Sequence, residues 1–148
     1  MDQLTGELRF DIGLLAKRLS GATRSVIRLP DTHGLMVGYF GASTGAGAAL
    51  VAAAELPDMV SAVVSRGGRP DLAEDALRSV QAPTLLIVGE NDQPVIEMNR
   101  QALKKLHSRE KKLVIVPGAT HLFEEPGTLE EVARLASEWF TRYLTPAV

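Results

Sequence analysis

The sequence predicts an α/β fold: a mostly parallel sheet of about four strands between helices, in three layers. Three observations predict it. Short apolar segments alternate with longer segments of helical periodicity along the chain. The short segments are apolar at nearly every position rather than every second one, the pattern of strands buried on both faces. Strands that alternate with helices are joined by right-handed β-α-β crossovers, which leave neighbouring strands parallel.

The elements follow in order. Residues 10–28 set Phe10, Leu14, Leu15, Leu19 and Val26 at helical spacing. Residues 35–40 form a short apolar run, read as the first strand. The alanine-rich stretch 44–56 reads as a helix stopped by Pro57. Residues 60–65 are the second strand, running into Arg66-Gly67-Gly68-Arg69-Pro70. A short, weakly patterned helix spans 72–80. The third strand, 84–88, is flanked by Pro83 and Gly89, and a helix covers 95–107. The fourth strand, 112–116, ends at Pro117-Gly118. A closing helix spans 129–144 with Val132, Leu135, Trp139 and Tyr143 on one side, so Trp139 is expected in the core.

Composition narrows the function. The 148 residues carry 16 basic and 18 acidic side chains, a formal charge of −2, with 45% hydrophobic and 23% charged residues. A single soluble domain of this size buries roughly 68–70% of its unfolded surface. A balanced charge without a basic block leaves no footprint for nucleic acid. The absence of cysteine excludes disulfides, thiolate metal sites and a thiol nucleophile. No apolar run reaches the length that spans a bilayer. The start, M-D-Q-L-T-G-E-L-R-F-D, has neither the basic beginning nor the apolar middle of a secretory leader, so a cytoplasmic location is expected. No metal or cofactor is expected.

In a parallel sheet the ligand site lies off the carboxyl ends of the strands, which directs attention to residues 41–47, 66–69, 89–94 and 118–125. The first of these has two readings. Gly41-Ala42-Ser43-Thr44-Gly45 is G-x-S-x-G between a strand and a helix, a nucleophile elbow. The helix start behind it offers free N–H groups to an oxyanion, the Thr44 N–H first among them. The same letters run on as G-A-S-T-G-A-G, the phosphate-cradling turn of short-chain dehydrogenases, where Arg66 and Arg69 would meet a 2′-phosphate. A tight turn without chemistry is the bland alternative, with Ser43 merely capping the helix.

The rest of the chain separates them. A dehydrogenase of that type needs Tyr-x-x-x-Lys, but Tyr39 is followed four residues on by Ser43, and Tyr143 by Ala147. The hydrolase reading needs an acid and then a histidine, each after a later strand. Asp92 follows the third strand, 49 residues after Ser43, and His121 follows the fourth, 29 residues further. Ser, Asp, His is the order of an α/β-hydrolase triad. His33 precedes the nucleophile strand, at the wrong end of the sheet, and His107 ends a helix in a basic stretch read as a solvated face. Glu90 is the fallback acid, and turn chemistry is the bland reading of Asp92.

The sequence resembles the α/β-hydrolase superfamily, nearest its dienelactone hydrolase-like branch, and is similar to bacterial hydrolase domains fused to phosphoribosyltransferases. The resemblance is carried by G-Y-F-G-A-S-T-G-A at the elbow, L-L-I-V-G-E-N-D at the acid turn and P-G-A-T-H-L-F at the histidine loop, and extends from about Phe10 to the end. It implies a serine hydrolase of small-molecule esters or lactones. Ser43 would be the nucleophile, His121 the base, Asp92 its orienting acid, Thr44 an oxyanion donor, and Arg66 and Arg69 binders of a substrate carboxylate. Glu124 and Glu125 are expected to be solvated or to begin the last helix. The chain departs from the family at its start. About 35 residues precede the nucleophile strand, where the family has several strands and the loop giving a second oxyanion donor. The expectation is the carboxyl-terminal part of the fold, a truncated α/β-hydrolase whose exposed strand edge is covered by a second copy, a partner chain or the first helix. A non-catalytic module that needs a partner is the alternative function, and an NADP-binding short-chain reductase a remote one.

Overall fold

The computed structural model describes residues 11–145. Its frame is one four-stranded sheet in the order β1-β2-β3-β4, every neighbouring pair parallel. The strands are β1 (Val37–Ala42), β2 (Val60–Arg66), β3 (Thr84–Gly89) and β4 (Lys111–Val116). The helices are α1 (Ile12–Arg28), α2 (Thr44–Glu55), α3 (Gln93–Lys105) and α4 (Thr128–Tyr143), with a 3-10 segment at Pro70–Ser79. Strand order equals chain order, so each crossover moves one strand along and every strand's carboxyl end emerges on the same rim.

Alternation along the central strands sends successive side chains to opposite faces and builds two cores. Val63 of β2 and Leu86 of β3 join Leu50, Leu77, Val80 and Leu106 on the face covered by α2, the 3-10 segment and α3. Val64, Leu85 and Ile87 point the other way and meet Val116, Phe123, Val132 and Ala136 under α4. The near-continuous burial of β2 and β3 thus has its cause in two covered faces.

The outer strands differ. β4 begins with exposed Lys111 and Lys112, and β1 exposes Phe40. α2 packs so closely that its alanines at 46, 48, 49, 52 and 53 are buried. α1 lies on α2 and reaches the sheet through the Thr23 hydroxyl, 2.6 Å from the Tyr39 hydroxyl. Its first turn is capped by Asp11, whose carboxylate accepts from the Leu14 N–H at 3.0 Å. Phe10 and residues 146–148 lie outside the described residues.

Among the described residues, elements depart from expectation by more than a residue in three places. The first strand starts at Val37, not Leu35, because pairing with β2 begins at Val37↔Val60; Leu35 and Met36 are exposed. The predicted helix at 72–80 is instead a 3-10 segment from Pro70 broken at Glu74, whose backbone lies at φ 51°, ψ −127°. The predicted helix at 95–107 begins at Gln93 and ends at Lys105. Trp139 is half-buried at the flank of the second core, its indole N–H donating to the Pro83 carbonyl at 3.2 Å.

Leu50 is fully buried between α2 and the sheet. Replacing it with alanine is expected to lower stability by about 2–5 kcal/mol, read as a reduced urea midpoint with unchanged slope.

Candidate active site

The site forms where β1, β3 and β4 end. At the close of β1 the chain turns directly into α2, with Ser43 between them at φ 49°, ψ −124°. The turn is possible because Gly41 lacks a side chain: a Cβ there would lie 2.8 Å from the Ala46 Cα and backbone nitrogen. The Ser43 carbonyl accepts from the Ala46 N–H at 3.2 Å and the Arg69 N–H at 2.9 Å, tying the elbow to the turn after β2. That turn is fixed in its own right. Asn99, fully buried on α3, donates through its amide to the Gly68 carbonyl at 3.1 Å, and a Cβ on Gly68 would collide with Ser65 and Ala46.

The acid and histidine loops are fastened to each other. The Glu90 N–H donates to the Val116 carbonyl at 3.0 Å and the Asn91 N–H to the Ala119 carbonyl at 2.9 Å. Gly89 permits the approach, since a Cβ there would stand 2.4 Å from the Ala119 oxygen. Three groups converge as a result. Ser43 Oγ lies 3.0 Å from His121 Nε2, and His121 Nδ1 lies 2.8 Å from Asp92 Oδ2. The Asp92 side chain is 13% exposed and that of His121 40%, so the carboxylate sits inside and the imidazole faces the opening. Ser43 and Asp92 both stand at N-cap positions, of α2 and α3, and neither side chain caps its helix. Their oxygens are directed to the imidazole instead. Glu90 is exposed and takes no part through its side chain; its carbonyl accepts from Gln93.

Ser43, Thr44, Arg69, Asp92, Val95 and His121 line a cavity of about 350 Å³. Thr44 is the first residue of α2, beside the hydroxyl. Arg69 is held by Asp71 through two parallel bonds, 3.0 Å from Nε and 2.9 Å from Nη2, and these bonds raise the guanidinium pKa further. Arg66 does not line the cavity; its guanidinium lies over the Phe123 ring, 5.6 Å from the centroid.

Sequence reasoning missed the residues that set the histidine loop. Gly67, at φ +51°, passes beneath it: a Cβ there would lie 3.2 Å from the His121 oxygen and 3.4 Å from Nδ1. Glu125, expected to be solvated or to begin the last helix, braces the loop instead. Its carboxylate accepts the Thr120 N–H at 2.9 Å and the Thr120 hydroxyl at 2.7 Å. A Gly-Gly pair after a strand was the one available signal for Gly67; nothing local marked Glu125.

The family model for the dienelactone hydrolase family matches residues 10–145. Two Mycobacterium tuberculosis proteins, from strains CDC 1551 / Oshkosh and ATCC 25618 / H37Rv, carry the provisional name phosphoribosyl transferase. Each is 63% identical over 135 residues, which is 91% of this chain and 30% of theirs. The crystal structure of dienelactone hydrolase from Anabaena variabilis ATCC 29413 aligns at 67% identity with a TM-score of 0.94, covering 97% of this chain and 66% of that one. The esterase domain of a Rhodothermus marinus protein shares the fold at 22% identity, with a TM-score of 0.73 over 88% of this chain and 69% of that one. The chain therefore spans under a third of the curated relatives it matches and about two thirds of the Anabaena enzyme.

Two expectations follow from the histidine loop. Gly67→Ala and Gly127→Ala both force a Cβ into left-handed backbone, costing roughly 1–2 kcal/mol each, but Gly127 has no neighbour within 4 Å of the added atom. NMR signals of the His121 ring should move in the first variant and not in the second. The bonds from the Thr120 hydroxyl and N–H lower the Glu125 pKa below the ordinary 4.5. The brace is thus complete above that value and is lost as pH falls through the lower, folded-state value. The Thr120 amide shift should titrate with a midpoint below 4.5 and stay flat in Glu125→Gln. The whole match, from residue 10 to residue 145, is to hydrolases rather than short-chain dehydrogenases, and the chain belongs to the dienelactone hydrolase family.

Proposed function

We propose that the chain is a serine hydrolase that cleaves an ester or lactone through an acyl-enzyme on Ser43. The observation that carries this reading is the relay of two hydrogen bonds, Ser43 Oγ to His121 Nε2 at 3.0 Å and His121 Nδ1 to Asp92 Oδ2 at 2.8 Å. With its Nδ1–H donated to Asp92, the imidazole leaves the Nε2 lone pair free for the serine proton. Oγ attacks the substrate carbonyl carbon as its proton passes to Nε2. The oxyanion that develops lies by the start of α2, where the Thr44 N–H and the partial positive charge of the helix favour it. Collapse expels the alkoxide, which takes the proton from Nε2. Water then attacks the acyl carbon by the same route and restores Ser43. In a lactone the alkoxide stays on the acyl group, and one hydroxy acid is released.

Arg69 borders the cavity and is the better of the two arginine candidates for positioning substrate. Its charge is shared with Asp71, which favours a neutral ester or lactone over a carboxylate-bearing one. The second reading, a non-catalytic module, draws on the chain's spanning 66% of the Anabaena enzyme. A fluorophosphonate probe distinguishes them. Labelling is expected at Ser43, abolished in Ser43→Ala and slowed on the order of 10⁴-fold in Asp92→Asn, which loses the correct tautomer as in other triads. A folded sample whose Ser43 stays unmodified at saturating probe excludes the hydrolase reading.

A further inference from the structure

The rim opposite the triad, where β3 and β4 begin, holds a second cavity. It measures about 380 Å³ and is lined by Gln81, Pro83, His107, Arg109 and Glu110, within the roughly 300–1,000 Å³ usual for small-molecule sites. The six residues of β3 separate Pro83 from the acid turn, a distance of roughly 20 Å at about 3.3 Å per residue. This cavity is therefore no extension of the one beside Ser43. Its two walls are fixed to each other. The hydroxyl of buried Ser108 is bonded to the carbonyls of Val80 at 3.2 Å and Ala82 at 2.7 Å, and the Thr84 N–H donates to the Glu110 carbonyl at 2.9 Å. The Lys111 ammonium secures the same turn by donating to the Leu106 carbonyl at 2.9 Å. The polar side chains of the lining are left over from this network. Among the described residues, those of Gln81, His107 and Arg109 are exposed and have no hydrogen-bond partner. Glu110 accepts from the Tyr143 hydroxyl at 3.3 Å through Oε2, which leaves Oε1 open. The stretch from Lys104 to Lys112, whose sequence reads as a solvated face, carries five Lys and Arg side chains against one acid in a chain of formal charge −2.

We infer that this cavity binds a small phosphate monoester whose carbon skeleton carries hydroxyl groups, the chemistry of a sugar phosphate. Arg109 presents a planar fork of N–H donors that matches two oxygens of a phosphate group. His107 and Gln81 add a ring N–H and an amide N–H beside it. A carboxylate on the same wall repels a bare anion. Glu110 therefore selects a ligand that also brings O–H donors, which its open oxygen accepts. Pro83 supplies the apolar surface against the carbon skeleton. A polyanionic surface would meet the Glu110 carboxylate as well and would gain nothing from the concavity. The assignment concerns this rim alone and does not depend on the serine hydrolase reading.

Trp139 reports on the site without a label. It is the one tryptophan of the chain, and its indole N–H donates at 3.2 Å to the carbonyl of Pro83, a wall of the cavity. Titration with glucose 6-phosphate is expected to change its emission and to saturate. In NMR the same titration should move the His107 ring and Gln81 side-chain amide signals while those of His121 stay in place. Glucose and inorganic phosphate each hold only part of the recognised chemistry. Each should bind at least about tenfold more weakly, the worth of one hydrogen bond to a charged group. Arg109→Ala should weaken glucose 6-phosphate by about tenfold or more on the same ground, and Glu110→Ala should bring the ester and inorganic phosphate to similar affinity. Arg109 is exposed, so its variant is expected to melt where the parent does; the NMR shifts of the unaltered protein are read independently of it. Absence of a saturable change with the ester at millimolar concentration overturns the proposal. So does sulfate bound as tightly as the ester, which marks an adventitious ion only. Shifts that fall on His121 and spare His107 place the ester at the triad and overturn it too, as does a DNA duplex that binds more tightly than the ester.

Discussion

The backbone of Ser43 is the constraint on which the site depends. At φ 49°, ψ −124° it occupies a region that costs a residue with a side chain of order 1–3 kcal/mol, and it persists only because its surroundings leave no alternative. β1 is hydrogen-bonded along its length to β2, and α2 is packed down by alanines with little or no exposed surface. The chain must pass from one to the other in a single residue. Gly41 makes the passage sterically possible, and the Arg69 N–H, directed by the Asn99–Gly68 bond, fixes the Ser43 carbonyl from behind. Strain here and burial next to it are two aspects of one arrangement. The hydroxyl is pushed off the sheet rim because everything around it is already close-packed.

The other two groups arrive by a different route. Asp92 and His121 stand on loops, yet these loops have the restraint of an extended sheet. β3 and β4 pair through Gly89↔Val116, and the ladder carries on into the Glu90–Val116 and Asn91–Ala119 bonds. Asp92 and His121 are therefore placed relative to each other independently of Ser43. Gly67 under the imidazole and Glu125 behind the loop fix the remaining freedom.

The sequence was most informative where one physical effect dominated. β2 and β3 are buried on both faces, so apolarity alone located them within a residue of their ends. The nearness of Ser43, Asp92 and His121 was legible because a parallel sheet brings all its carboxyl ends to one rim, which turns three distant letters into neighbours. Local pattern failed where tertiary packing decides. Leu35 and Met36 have strand composition, but no partner residue lies opposite them in β2. The kink at Glu74 follows from fitting the 3-10 segment between α2 and α3, which no periodicity encodes. Arg66 and Arg69 look equivalent in Arg-Gly-Gly-Arg, yet opposite ends of that turn face different things: Phe123 for one, Asp71 and the cavity for the other.

A division of labour follows from where these restraints lie. The distances among Ser43, His121 and Asp92 are set largely through Gly41, Gly67, Gly89, Asn99, Ala119 and Glu125. Gly41 alone among them belongs to β1. The spatial relation of the three side chains thus follows from the sheet rim and the turns that leave it. Ser43, Thr44, Arg69, Asp92, Val95 and His121 leave a cavity of about 350 Å³ beside them. Turns and buried polar groups hold the three side chains in place, and the cavity is left beside them.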